Sequence, residues 1–222
     1  MSKRTYNQYC ALSAALDVLG ERWTLLIVRD LLYGPKRFKD LHANLLGIGT
    51  GLLTARLNQL QADGVIERTR LPPPASTSAY QLTADGQALH GILVELARWG
   101  LPRVGLANGR TLATGDVLIL ALEASFDPMA VEHADGIYEL QIDGTPYRLE
   151  INRRALDIRL GHATSPLTTA ATDAQTLIDL TDGETTLEAA LASGRVKIAG
   201  DLEAAARFAQ AFGLAAPPPP AD

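Results

Sequence analysis

Apolar positions in the first hundred residues recur at helical spacing. Leu12, Leu16 and Leu19 mark a helix that stops at Gly20, and Trp23 to Leu32 is apolar nearly all round until Gly34-Pro35 ends it. Phe38, Leu41 and Leu45 predict a short third helix. The run Gly47-Ile48-Gly49-Thr50-Gly51 breaks it, and Leu53, Leu57 and Leu60 restart the period. After Asp63-Gly64 the run Val65 to Leu71 has strand character, Pro72 to Ser78 reads as a loop, and Ala79 to Leu82 returns. The pattern is therefore helix, tight turn, helix, then a β-hairpin. Thr83 is the predicted N-cap of a long helix carrying Leu89, Ile92, Leu93, Leu96 and Trp99, which ends near Gly100-Leu101-Pro102.

The period then changes from helical to two. Tyr138, Leu140 and Ile142 alternate with Glu139 and Gln141, and Asp143-Gly144 is a two-residue hairpin signal. Tyr147, Leu149 and Ile151 alternate with Arg148 and Glu150; a turn at Asn152 to Arg154 leads to Leu156, Ile158 and Leu160. Three strands in an antiparallel meander follow, with one apolar face that needs a cover. Helical segments at Ala174 to Leu180, Leu187 to Ala192 and Leu202 to Phe212 can supply it, with a short strand at Val196 to Ala199. The expected architecture is a mainly α winged helix-turn-helix over residues 1–103, a linker over 104–114, and an α+β domain over 115–214. That second domain is expected to be an antiparallel sheet covered by helices, and a disordered Pro-rich tail is expected over 215–222.

Composition narrows the function classes. With 47% hydrophobic and 20% charged residues the chain reads as globular, and no apolar run approaches the roughly 20 residues of a membrane span. The N-terminus has a basic start without an apolar signal core, so a cytoplasmic location without a membrane partner is expected. Net charge is −5, but residues 1–110 carry 13 Lys and Arg against 8 Asp and Glu, and residues 111–222 carry 7 against 17. The basic half fits a nucleic-acid module, because the local field near the phosphates governs attraction. One cysteine, Cys10, excludes an internal disulfide and a thiolate zinc cage. His42, His90, His133 and His162 are scattered and no hydrolase or metalloprotease motif occurs, so no enzyme activity, metal or cofactor is expected. Gly47-Ile48-Gly49 is no dinucleotide fingerprint: Leu52 occupies the third glycine position and a helix precedes it.

If Leu53, Leu57 and Leu60 face the core, then Thr50, Gly51, Thr54, Ala55 and Asn58 face a DNA groove, with Thr54 and Asn58 placed to read base edges. Lys36, Arg37, Lys39, Arg56, Arg68 and Arg70 are candidates to neutralise phosphates, although each alone is more often a solvated surface charge.

Several segments in order resemble the HxlR family of bacterial winged helix-turn-helix regulators over roughly Tyr9 to Gly100. They are Cys10, Leu16-Asp17-Val18-Leu19-Gly20-Glu21-Arg22-Trp23, Gly34-Pro35-Lys36-Arg37-Phe38, Leu41, Gly47-Ile48, Leu52-Leu53-Thr54, Leu57 and Asp63-Gly64-Val65-Ile66-Glu67-Arg68, then Tyr80, Leu82-Thr83 and Trp99-Gly100. The resemblance implies a homodimer formed by the first and fifth helices, presenting two recognition helices about 34 Å apart to a palindromic double-stranded DNA operator. The sequence departs from the family at Gly49 and Gly51, where a capping polar residue and a basic residue are usual, and at Thr77, where arginine is common. Cys10 stands where some members carry an oxidant sensor. Lys3 or Arg4 would then lower its pKa, and the alternative is a small residue packed near the dimer seam.

The acidic half resembles the sterol-carrier-protein-type domain over roughly Asp116 to Leu214, through its strands and Pro166, Leu177, Leu180, Gly183, Ala190, Gly194-Arg195-Val196 and Gly200-Asp201. The resemblance implies an apolar tunnel for a hydrophobic small molecule. Leu177, Leu187, Leu191, Phe208 and Phe212 are candidates for its lining; the alternative is that they fill a small core. Three functions stay open: a ligand-modulated regulator, a regulator that senses oxidants through Cys10, and a hydrophobic-ligand carrier without DNA binding.

Overall fold

The computed structural model describes residues 5–73, 76–104, 115–130 and 134–214. The chain divides into two compact units, Met1–Leu93 and Val94–Asp222, each described here by itself. The division falls inside a helix; residues 105–114 of the expected linker and the expected tail lie outside the described residues, as do Lys3 and Arg4.

In the first unit, α1 (Ala11–Leu19), α2 (Thr24–Leu31), α3 (Phe38–Asn44) and α4 (Thr50–Ala62) precede a hairpin of β1 (Ile66–Arg70) and β2 (Ser78–Leu82). Ile27, Val28, Leu41, Leu53 and Leu57 have no exposed surface and form the core beneath α4. The predicted second helix begins one residue late, because Trp23 precedes it in the left-handed region at φ 79°. The long helix expected after Thr83 is two: α5 (Ala84–Gln87) and α6 (His90–Gly100). Thr83 does cap the first of them, its hydroxyl accepting from the Gly86 N–H at 3.1 Å.

The second unit holds α7 (Gly115–Ser125), β3 (Gly136–Ile142), β4 (Thr145–Asn152), β5 (Ala155–Leu160), β6 (Thr168–Thr172), α8 (Ala174–Thr181), α9 (Leu187–Ala192), β7 (Lys197–Gly200) and α10 (Leu202–Ala211). β3, β4 and β5 form the predicted meander, with Tyr138 opposite Leu149 and Leu149 opposite Ile158. The β3–β4 turn has both central residues left-handed, Asp143 at φ 50° and Gly144 at 76°, which matches the twist of the flanking strands.

The sheet is mixed rather than purely antiparallel. Its order is β5-β4-β3-β6-β7, and β6 runs parallel to β3 in the register Tyr138 to Thr168. Thr168-Thr169-Ala170-Ala171-Thr172 lacks the large apolar alternation that marks a strand, which is why the pattern misses it. To reach β6 the chain leaves β5 and crosses two strands, and one carboxylate pins this crossing. Glu139, 6% exposed, accepts from the Ala163 N–H at 2.8 Å, from Gln141 at 2.7 Å, and lies 3.2 Å from the His162 ring.

Burial alone would raise the Glu139 pKa, but hydrogen bonds from Gln141, Ala163 and His162 outweigh it and hold the group below its ordinary 4.5. A depressed folded pKa contributes stability above the unfolded value and loses it as pH falls through the folded one. We expect Glu139→Gln to cost about 1 kcal/mol per hydrogen bond lost at neutral pH. The variant should also flatten the decline in stability below pH 4.5, read from urea unfolding monitored by circular dichroism at several pH values. An unaltered acid profile would mean that Glu139 does not pin the crossing.

Candidate nucleic-acid interface and apolar cavity

The outer face of α4 carries Thr50, Gly51, Thr54, Ala55 and Asn58, all exposed, while Leu53, Leu57 and Leu60 point inward. Spacings of three and four residues put the exposed set on one side of the helix. The Thr54 hydroxyl donates to the Thr50 carbonyl at 2.8 Å, so its lone pairs and methyl group are what it presents outward. Gly49 is the N-cap and supplies no capping side chain. A Cβ at Gly51 would meet nothing within 4 Å, leaving the first turn with a bare backbone toward solvent.

The expected cations divide into two groups. Lys39 and Arg70 are exposed, at the first turn of α3 and the end of β1. Arg37 precedes α3, with Asp40 at 3.9 Å. Lys36 exchanges both backbone hydrogen bonds with Tyr80, at 2.9 and 2.8 Å, which joins the start of α3 to β2. Arg68 lies over the Tyr80 ring, 5.6 Å from its centroid, so its guanidinium is held on the hairpin. Arg56 is drawn off the outer face of α4 by an ion pair with Glu21 at 2.6 Å. Thr77 is exposed beside the hairpin loop. Periodicity offered no sign of the linking roles of Tyr80 and Glu21, because both are tertiary contacts.

Cys10 is exposed and is the N-cap of α1. Its side chain makes no capping hydrogen bond in the resting geometry, yet the Ser13 N–H and hydroxyl, then the Leu12 N–H, favour the thiolate and lower its pKa.

In the second unit a cavity of about 50 Å³ lies between the sheet and its helices, lined among others by Tyr138, Leu140, Leu177, Leu187, Val196 and Phe208. Leu177, Leu187 and Phe208 are among the lining residues, and the other two candidates lie elsewhere. Leu191 is 37% exposed on α9, and Phe212 packs on Phe126 and Phe208 at 5.4 and 4.6 Å between ring centroids. The lining hydroxyls are committed to carbonyls: Tyr138 donates to Ala134 at 2.7 Å, Thr168 to Ala199 and Thr172 to Arg195, both at 3.2 Å. The lining thus offers no hydroxyl proton to a guest.

A family model described as HxlR-like helix-turn-helix matches residues 18–105. The chain is also 33% identical over 123 residues to the HTH-type transcriptional regulator YtcD of Bacillus subtilis (strain 168), a match spanning 54% of this chain and 94% of that protein. The chain belongs to the HxlR-like helix-turn-helix family. A second family model, SCP-2 sterol transfer, matches residues 119–213. The HTH-type transcriptional regulator YodB of the same organism is 35% identical over 94 residues, covering 42% of this chain and 84% of YodB. The solved structure of reduced YodB superposes with a TM-score of 0.38 at 31% identity, covering 46% of this chain and all of that one. This HxlR-like protein thus joins a helix-turn-helix of the transcription-regulator type to an SCP-2-like α+β domain. Among the described residues no helix is long and apolar enough to cross a membrane.

Proposed function

We propose that this HxlR-like protein is a cytoplasmic DNA-binding transcription regulator that reads a palindromic operator as a homodimer. Residues 1–103 form the DNA-binding and dimerisation domain, 104–114 the linker and 115–214 the ligand domain. The exposed face of α4, with Lys36, Arg37 and Lys39 at the start of the preceding helix and Arg70 at the end of the following strand, is the observation that carries this reading. Thr54 and Asn58 read base edges; the cations contact phosphates. Exposed apolar side chains on α1 (Leu12, Leu16) and α6 (Ile92, Leu96, Trp99) support dimerisation, since such surfaces mark protein contacts. The test is anisotropy of a labelled duplex carrying the protein's own promoter region, at two salt concentrations with nonspecific DNA competing. Salt-dependent, selective binding is expected. Equal weak binding to both DNAs would favour a ligand carrier instead.

The cavity of the second domain takes an apolar small molecule that shifts DNA affinity. Its apolar walls and committed hydroxyls support a hydrocarbon-like guest. At about 50 Å³ the cavity must widen to admit a whole ligand.

Exposure and a lowered pKa favour a second role, oxidant sensing at Cys10. A thiolate formed more readily is the reactive species. Cys10→Ser should leave DNA affinity in reductant unchanged and abolish any loss of affinity on treatment with peroxide or quinone. An oxidant response that survives the substitution would rule out the sensor.

A further inference from the structure

The turn that ends α1 pairs with α4 at one point and approaches the turn that precedes α4 at another. Glu21, 47% exposed, forms the 2.6 Å ion pair with Arg56, whose own exposure is 21%. Two residues on, the Trp23 indole reaches the turn between α3 and α4: a Cβ at Gly47 would lie 4.0 Å from its Cη2 atom. Arg56 lies in the middle of α4, so the ion pair holds the helix there, while the indole lies beside the turn that leads into it.

The backbone between these contacts is constrained. Trp23 sits at φ 79°, a conformation that a bulky residue adopts only where its surroundings impose it. The Arg22 guanidinium covers the other partner in this turn, 5.0 Å from the Trp23 ring centroid. Upstream, the chain enters α1, whose exposed Leu12 and Leu16 offer a surface for contact.

We propose that Glu21 and Trp23 are positioning residues for the recognition helix: the Glu21–Arg56 ion pair fastens α4 to the α1–α2 turn and the indole beside Gly47 backs the turn that leads into α4, so that displacement of α1 is passed to the DNA-reading face. The effect on DNA rests on the DNA-binding reading above; the mechanical coupling does not. Arg56 in this arrangement orients the helix and makes no phosphate contact.

Hydrogen exchange of the free, full-length protein tests the coupling without DNA. Glu21→Gln, a change at a half-exposed site, should speed exchange of the α4 amides around Thr50 to Arg56 by about two- to fivefold, the range for a single exposed ion pair. Trp23→Phe should speed exchange at Gly47 to Gly49. Unaltered α4 exchange in Glu21→Gln would overturn the proposal. On the promoter duplex, Glu21→Gln and Arg56→Gln should each weaken binding by a similar two- to fivefold factor, roughly, and the double variant should be no worse than either single one. The salt dependence should stay unchanged. If Arg56→Gln instead lowers the salt slope by about one while Glu21→Gln leaves affinity intact or improves it, Arg56 is a phosphate contact and the proposal fails. A wild-type protein that selects no DNA, combined with faster α4 exchange in Glu21→Gln, would sink the DNA-binding reading and leave the coupling standing.

Discussion

Gly86→Ala should destabilise the first unit by about 3 kcal/mol, the upper end of the cost of overpacking a tight site. Intrinsic helix propensity predicts the opposite sign, because alanine is better than glycine in a helix by about 1 kcal/mol. The geometry decides between them. A Cβ on Gly86 would lie 2.1 Å from the Val65 carbonyl oxygen and 3.2 Å from two side-chain carbons of Leu82. The first is backbone and cannot rotate away. That oxygen already accepts from the Thr83 N–H and hydroxyl, both at 3.1 Å, so moving it disturbs the cap of α5 as well. Val65 leads directly into β1, and the displaced strand would carry Arg68 and Arg70 with it. Thermal unfolding followed by tryptophan fluorescence should show Tm falling by roughly 15 °C for a unit of this size. A rise in Tm would show that the chain yields here and that propensity wins.

The same residue marks the limit of what patterning reveals. Gly86 reads in the sequence as a mild blemish in a helix, and only the approach of Val65 gives it a reason. Helices α2 to α4 were legible because their buried apolar residues recur at helical spacing and glycine follows their ends, α1 because Leu12, Leu16 and Leu19 keep that spacing although Leu12 and Leu16 are exposed, and the β1–β2 hairpin from strand-type runs on either side of a Pro-rich loop. The β3 to β5 meander was legible from strict alternation, and the left-handed pair Asp143-Gly144 sits where its dipeptide puts it. Two elements escaped. β6 has small residues, and its strand pairing is dictated by β3 on one side and β7 on the other. α7 is buried on several sides at Leu118, Ile119, Leu120 and Leu122, so its apolar run shows no single stripe. At the candidate interface the exposed positions of α4 followed from periodicity. The committed state of Arg56 and Arg68 did not, since ion pairing and stacking depend on residues 35 and 12 positions away in the chain.

Asn58→Ala should cost more DNA selectivity than any other single change on α4. Gly51 has no side chain, Ala55 has only a methyl, and the Thr54 proton is spent on the Thr50 carbonyl. Asn58 is the exposed residue of the set with a carboxamide, which can donate and accept at once and so bind adenine in bidentate fashion. Losing such a pair is worth about 1–3 kcal/mol, or roughly 5- to 150-fold in affinity for the operator. Binding to nonspecific DNA should stay the same, because a neutral amide releases no counterions, and the slope of affinity against salt should not move. Lys39→Ala makes the opposite signature: a uniform loss on every duplex and a slope reduced by about one. Competition titrations of both variants at two salt concentrations separate base reading from phosphate contact. Should Asn58→Ala weaken operator and nonspecific DNA alike, the exposed face of α4 is not what reads the sequence, and selectivity must come from the hairpin or from the shape of the duplex.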